Sequence, residues 1–457
     1  MSDSTDAVFR LPPEPRWPQV VQDVAYLTRG RSFMHALYRR FGTAFSIRLP
    51  FYGPAVVISD PALVKELFRQ PVEAVRGAEP NLGLVLGPGS SFGLQGEKHR
   101  RHRKLILPQF HGDRMRAYES LIEAETMEEI AQWPEAREFP VQPAMMRITL
   151  NTILRGIFGA EGAEFDALRT LMPRMIKLGS KLALVPALHR DFGPLSPWRR
   201  MTSMRAELDA IFASLIARAQ ADPAPDRRSD ILSLLLQARY DDGEPMSHSD
   251  IGDELFTLVV AGHETTATSL AWAFERLRRH PRALERVVSE VDAGRSDLLQ
   301  ATVHEVLRTR PIIDAVSRQV VAPSIALGPW TIPEGHTVTV GIGLVHENEE
   351  VFRDAREFDV DRFLGATPEM YSWLPFGGGA RRCPGAAFAN QEMTVVLRTV
   401  LRELRLVPTD ARDEPIKSNG VVSFPGRGGR VVVYRRRRVG TDRHASPQSV
   451  RSATLPA

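Results

Sequence analysis

Apolar residues recur with a helical period from residue 97 to residue 310, and the pattern breaks at Pro134, Pro140, Pro173, Pro186 and around the segment GPLSPW. Period-two alternation is confined to short runs. The segment TAFSIRLPFYGPAVVIS alternates and reverses at Tyr52-Gly53-Pro54, which predicts a hairpin. Asp60 followed by Pro61 supplies an N-cap and a first-turn proline, opening a helix through Phe68. Strands are expected at 316–321, 330–340, 421–424 and 430–434, with a turn at Pro333-Glu334-Gly335. Residues 71–96 are glycine-rich without a regular period and read as one long loop, a length that in a compact domain is often functional. No internal repeat or linker appears between 30 and 435. The pattern therefore predicts a mainly α, helix-rich chain with small β-sheets. A Pro-rich lead (1–29) precedes one large domain (30–437), and a polar, disordered tail (438–457) follows it.

The longest periodic run, SHSDIGDELFTLVVAGHETTATSLAWAFERLRRHP, predicts a helix over 249–280 with acids at its start and arginines at its end. Its centre breaks local rules. Gly262 costs about 1 kcal/mol against Ala, and Glu264, Thr265 and Thr266 interrupt an apolar stretch. A solvated polar face is the plain explanation of such a run.

Composition narrows the function classes. Lys+Arg number 59 against 55 Asp+Glu, a net charge of +4, with 43% apolar residues. These are ordinary globular values, and so small a basic excess does not call for nucleic acid. No apolar run reaches the ~18–20 residues of a membrane helix, and the first residues lack the features of a signal peptide. A soluble, cytoplasmic protein without a membrane anchor is expected. The length alone suggests two or three domains, but the missing linker favours one.

A single cysteine excludes internal disulfides and multi-cysteine metal sites. It sits in FGGGARRCPG, residues 376–385. Cys383 could be a buried core thiol, a nucleophile or an axial thiolate to haem iron. Gly377, Gly378, Gly379 and Gly385 would let backbone approach a flat, bulky group. Arg381 and Arg382 would favour thiolate over thiol. The pattern Phe376, Gly379, Arg381, Cys383, Gly385 resembles the haem-binding signature of the cytochromes P450.

Three further segments resemble that family. AGHETT, from Ala261, resembles the distal-helix motif, in which Gly262 would open a groove for dioxygen and the Glu264–Thr265 pair would handle protons. Glu305-x-x-Arg308 resembles the ExxR helix. The same spacing recurs at Glu66/Arg69, Glu73/Arg76, Glu97/Arg100, Glu275/Arg278 and Glu350/Arg353, and such pairs are usually surface contacts. Only the order along the chain singles out Glu305/Arg308. EFDVDRF would complete its ion network through Arg362, with Ala355 and Val360 where the family usually has prolines. The polar run Lys98–Lys104 would otherwise be a solvated helix face, and His99-x-x-His102 is a weak metal-pair pattern. His99-x-x-x-Arg103 resembles the family's propionate-binding helix, with Arg318 and Arg381 also on propionates through bidentate pairing.

The resemblance spans about residues 30–435 with the motifs in order, and is to the soluble bacterial class. It implies haem b (iron protoporphyrin IX) lying between the long distal helix and the cysteine loop, with Cys383 as axial ligand and Phe376, Gly377 and Gly385 around it. It further implies O2 activation with two electrons from NAD(P)H and hydroxylation of a lipophilic small molecule, whether fatty acid, terpenoid or steroid-like. With no flavin or iron–sulfur domain in the chain, electrons would come from ferredoxin and ferredoxin reductase, or a flavodoxin-type donor. Arg100, Arg101, Lys104 and Arg382 would steer an acidic donor. The pocket is expected from 77–92, 171–188, Val259, Val260, Ala261, 312–316 and 421–424. Lys177 and Lys181 would either anchor a substrate carboxylate or lie in solvent, and Asp314 would face the pocket or a turn. Two rivals are a peroxide-driven haem-thiolate peroxygenase, against which the Glu264–Thr265 pair argues, and a non-catalytic haem-binding sensor or carrier, which needs no proton relay.

Overall fold

A computed structural model describes residues 9–436 except 51–52, 79–81, 111, 113, 160, 194, 225–227, 229 and 420. The tail, and Tyr52 of the expected turn, lie outside the described residues. The Pro-rich lead is laid against sheet. The Pro12 and Pro13 carbonyls accept from Ser46 (both 2.8 Å), and the Arg10 carbonyl from Thr331 N (2.9 Å). Helix α1 (Gln19–Phe41) follows and crosses position 30. Strands β1 (Ala44–Leu49) and β2 (Gly53–Ile58) form the expected hairpin. Asp60 caps α2 (Pro61–Phe68), its Oδ1 accepting from Ala62 N at 2.7 Å and Leu63 N at 3.3 Å.

The stretch read as one loop over 71–96 is corrected by two short elements, β3 (Val75–Gly77) and α3 (Leu82–Leu86). Three and five residues are too few to show a period. They are held by tertiary partners, β3 by a strand at 315–320 and α3 by burial of Val85 and Leu86.

Helices α4 (Gly96–Ile106), α5 (Arg114–Ala131), α6 (Gln142–Phe158), α7 (Gly162–Leu184), α8 (Pro197–Gln220) and α9 (Ile231–Gln237) come next, with β4 (Phe139–Pro140) between α5 and α6. Pro173 does not break α7, contrary to the sequence reading. It is exposed, so the hydrogen bond it forfeits lies on a solvated face. Helix α10 (His248–Arg279) is the predicted long helix, capped by Ser247 Oγ accepting from Asp250 N at 3.0 Å. It is buried on nearly every face because α6, α12 (Asp297–Thr309) and α14 (Ala386–Glu403) all pack on it, while α11 (Pro281–Asp292) connects it to α12.

Strands β5 (Ala315–Val320), β6 (Ser324–Leu327), β7 (Trp330–Pro333) and β8 (Thr337–Gly341) lead to α13 (Ile342–His346). The turn expected at Pro333-Glu334-Gly335 separates β7 from β8, with Gly335 at φ +81°. The larger sheet runs β1-β2-β8-β5-β3, with β2 and β8 parallel. After α14, strands β9 (Leu404–Leu406), β10 (Ile416–Ser418), β11 (Ser423–Pro425), β12 (Arg430–Val431) and β13 (Val433–Arg435) form two-residue and three-residue pairings. Among the described residues no helix is long and apolar enough to cross a membrane.

Candidate functional site

Cys383 lies just before α14, its N–H donating to the Phe376 carbonyl at 2.9 Å, and Phe376 stacks edge-on against Trp373. Its thiol is exposed, yet enough protein surrounds it that desolvation raises its pKa. The Gly385 N–H and the charges of Arg103 and Arg382 act in the opposite direction. The glycines before it have a local cause. A Cβ on Gly378 would stand 2.3 Å from the Phe68 ring, and one on Gly379 2.7 Å from the Phe68 carbonyl oxygen. Gly377 and Gly379 also take φ +63° and +66°. Packing against α2 thus requires a bare loop. Gly385 is different: a Cβ there would meet nothing within 4 Å, and its φ is −84°.

Beside this loop is a small cavity of about 30 Å³ onto which His99, Arg318, Arg381 and Arg76 open, with no carboxylate among the lining residues. Burial, and then the charges of Arg381 and Arg103, lower the His99 pKa to about 3, leaving a neutral imidazole among cations. Arg318 donates to the Ser317 and Gly378 carbonyls, and Arg381 to the Ser91 and Leu94 carbonyls and Gln95 Oε1. Arg103 reaches the Arg382 carbonyl at 2.5 Å. A cluster of cations without an acid suits an anionic guest such as paired propionates. Of the His99-x-x-His102 pattern, His102 Nε2 instead meets Glu254 Oε2 at 3.1 Å. Among the described residues no group of three or more His, Cys, Asp or Glu side chains could hold a metal ion.

The centre of α10 departs from its surroundings. Its residues are buried on either side, but Ala261 is exposed. A Cβ on Gly262 would come 2.8 Å from Ile153 Cδ1, so this glycine admits α6. Thr265 Oγ1 donates to the Ala261 carbonyl at 2.6 Å, and Ser269 Oγ to the Thr265 carbonyl at 2.9 Å. Two successive back-bonds of this kind loosen a helix locally. Glu264 is turned elsewhere. Its Oε1 accepts from Asn419 Nδ2 at 3.2 Å, and it lines a cavity of about 700 Å³ with His263, Lys177 and Lys181. Burial raises its pKa. Its neighbour His263 is held at about 4 by burial and meets Thr149 Oγ1 through Nδ1 at 3.0 Å. Asp314 is a joint between elements: its Oδ2 accepts from Ser423 Oγ (3.0 Å) and its carbonyl from Ile342 N (2.8 Å).

Glu305 and Arg308 are fully buried and bidentate, at 2.7 and 2.6 Å. Arg362 adds a contact to Glu305 at 3.3 Å. Arg308 also donates to the His346, Ala355 and Glu357 carbonyls. His346 Nε2 accepts from Leu374 N at 2.8 Å and its Nδ1 lies 3.0 Å from the Arg308 carbonyl, which assigns the proton to Nδ1. The network therefore reaches within ten residues of Cys383.

Sequence reasoning missed a second buried cluster. Asp253 and Glu254 of α10 accept from Gly89 N, Ser91 N and Ser91 Oγ. Arg205 joins at Asp253 and His102 Nε2 at Glu254 (3.1 Å). These acids looked like N-terminal helix charges, and nothing in their spacing pointed to a loop 160 residues away. The proposed docking cations are also modified by folding: Arg100, Arg101 and Lys104 pair with Glu97, Asp242 and Asp241. Three of the four are matched by carboxylates, which weakens the patch expected from sequence.

The chain matches the cytochrome P450 family over residues 11–431. It is 48% identical over 429 residues to a putative cytochrome P450 138 of Mycobacterium tuberculosis, covering 94% of this chain and 97% of that protein. It is 38% identical over 450 residues to a putative cytochrome P450 135B1 of the same organism, covering 96% and 94%. The structure of cyanobacterial CYP120A1 with retinoic acid bound has the same fold, with a TM-score of 0.79 at 24% identity, over 93% of this chain and 99% of that one. Relatives this similar over nearly their whole lengths show that this chain belongs to the cytochrome P450 family of haem-thiolate monooxygenases.

Proposed function

We propose that Cys383 is the axial thiolate of a haem b whose propionates are held by His99, Arg103, Arg318 and Arg381, and that the enzyme hydroxylates a lipophilic small molecule. The observation that carries this reading is the acid-free cavity onto which His99, Arg318 and Arg381 converge, beside the loop holding the chain's one cysteine. When bound, the haem supplies reductive activation of O2 by two electrons, which we assign to NAD(P)H through a ferredoxin-type or flavodoxin-type donor.

The chain's own residues have separable tasks. Arg103 and Arg382 bring positive charge to the sulfur, and the Gly385 N–H bonds to it; all three favour the thiolate. Exposed Ala261 leaves space beside the Thr265 hydroxyl, whose oxygen can still accept a hydrogen bond while its proton is engaged. Glu264 lines the cavity from the helix, and burial raises its pKa, so it keeps its proton to higher pH than an exposed carboxylate would. Lys177 and Lys181 line the same cavity, but so do Glu125, Glu128, Glu129 and Glu264, so the lining charge does not choose between a fatty acid and a neutral terpene.

The ligation test is spectroscopic. Reduced protein under carbon monoxide should show the strongly red-shifted Soret band of thiolate ligation, and Cys383→His should lose it. A wild-type spectrum like that of a His-ligated haem would end the assignment. For the distal side, Thr265→Ala should retain haem and substrate-induced spectral shifts while yielding less product and more hydrogen peroxide per NAD(P)H. Equal coupling would remove Thr265 from the role. Spectral titration of fatty acids against terpenes and steroids, with Lys177→Ala/Lys181→Ala, decides the substrate class.

A further inference from the structure

Asn419 sits between β10 and β11, two short strands paired as far as Ser418 and Ser423. Its side chain is clamped into the turn of that hairpin. The Oδ1 atom accepts from Val422 N at 2.8 Å and Val421 N at 3.1 Å, and the Asn419 N–H donates to the Val422 carbonyl at 3.2 Å. An amide whose oxygen already faces two N–H donors can offer only its NH2 group outward. That group reaches Glu264 Oε1 of α10 at 3.2 Å, across 155 positions of the chain. The hairpin is fixed from the other side as well. Ser423 N donates to the Ile312 carbonyl at 2.8 Å and Ser423 Oγ to Asp314 Oδ2 at 3.0 Å, and β11 packs on α10. Backbone therefore aims the amide, from a support that is not part of α10.

Glu264 has little else to orient it. Among the described residues no other side chain hydrogen-bonds its carboxyl. Across the cavity, Glu125 and Glu129 of α5 are matched by Arg155 and Arg147 of α6. Glu128 of α5 and Arg169, Lys177 and Lys181 of α7 complete the charged lining, and none of them bonds Glu264. On its own helix His263 is held neutral by burial, and Lys417 of the hairpin is exposed. Burial raises the Glu264 pKa, and the Asn419 bond acts against that rise. We propose that Asn419 is a positioning residue for Glu264: the hairpin-locked amide holds Oε1 as an acceptor, which leaves Oε2 to carry the carboxyl's proton. The bond also favours the charged form, so the proton leaves more readily than burial alone would allow. Through Ser423 the same hairpin is fastened to 312–314, a stretch expected in the substrate chamber, so substrate wall and carboxyl share one support. That last consequence, and any effect on turnover, rests on the proposed function; the positioning does not.

The test is a pH titration of the Glu264 carboxyl by infrared difference spectroscopy on the haem-loaded full chain, with Glu264→Gln identifying its band. Asn419→Ala should move the midpoint up by about one pH unit. Asn419→Asp keeps an oxygen for Val421 N and Val422 N but removes the donor and adds a second acid. It should raise the midpoint further, because two facing carboxyls resist double ionisation. A hairpin that merely braces α10 would leave the midpoint where it is. Unchanged haem spectra and melting temperatures would show that both variants are folded; if Asn419→Ala loosens the turn, Asn419→Asp decides alone. The proposal is overturned if no carboxyl of Asn419→Asp titrates above the wild-type midpoint, or if a folded Asn419→Ala leaves that midpoint unmoved. Product formed per NAD(P)H separates this inference from the function beneath it. Raised midpoints with full coupling retained in Glu264→Gln would uphold the positioning and remove Glu264 from proton handling.

Discussion

Glu97/Arg100 and Glu305/Arg308 have the same spacing and nearly the same geometry. Both are bidentate, at 2.6 and 2.8 Å in the first and 2.7 and 2.6 Å in the second. Their surroundings differ completely. The first pair is 52% and 59% exposed, and its charges end at each other. The second is fully buried, and Arg308 is shared among three backbone carbonyls while Glu305 also accepts from Asp359 N. A local bond length therefore says little about the worth of an ion pair. What decides is how much solvation each charge has lost and how many other groups have been oriented around it.

The largest effect should come from breaking the buried pair. Arg308→Ala leaves Glu305 uncompensated in the interior and should cost about 3–5 kcal/mol. It also frees the carbonyls of the segment leading to the cysteine loop, so haem content should fall along with the denaturation midpoint. If haem content and midpoint both survive, the network does not organise that loop.

A pH series probes the same network through His346. Burial, and then the Arg308 charge, lower its pKa from 6.5 to about 3. Between those values the unfolded chain binds a proton that the folded protein refuses. Stability should therefore rise with pH across the window and fall on acidification below about 6.5. The contribution is ~1.4 kcal/mol per pH unit for each such histidine. His263, held at about 4, contributes in the same sense. His346→Asn should flatten the slope of unfolding free energy against pH between pH 4 and 6. An unchanged slope would mean that other groups dominate acid sensitivity.

Ala355→Pro is a finer probe of the same region. It restores the residue type usual in the family, yet here Ala355 N–H donates to Glu349 and the preceding Asp354 takes φ 50°. Both features oppose proline, and we expect a loss of about 1 kcal/mol. A stabilised variant would show that the loop relaxes to the family geometry. Glu97→Gln should change neither the melting temperature nor the haem content measurably. A clear drop would place Glu97 in more than its exposed pair.

Much of this protein was legible along the chain. The long helix with its end charges, the hairpin and the α2 cap follow from periodicity and end signals, which depend only on neighbours within a few residues. The cysteine loop and the ExxR segment were found from spacing, and their order along the chain separated Glu305/Arg308 from its five look-alikes. Elements β3 and α3, held by their tertiary partners, left no such trace.

Tertiary structure decided what each motif residue faces. Sequence assigned bareness at Gly378 and Gly379 to an approaching flat group; folding shows that Phe68 of α2 requires it as well. Gly262 was read as opening a groove, and folding adds a packing reason for it, since a Cβ there would stand 2.8 Å from Ile153 Cδ1. Glu264 and Thr265 are adjacent in sequence but a helical step of about 100° sends one to Asn419 and the other back to Ala261. The acids Asp253 and Glu254 found their partners in loop 89–91. The residue type and the chemistry it can perform are properties of the chain. Which groups lose water, and which partners compensate them, depend on contacts between distant segments, and only folding brings those together.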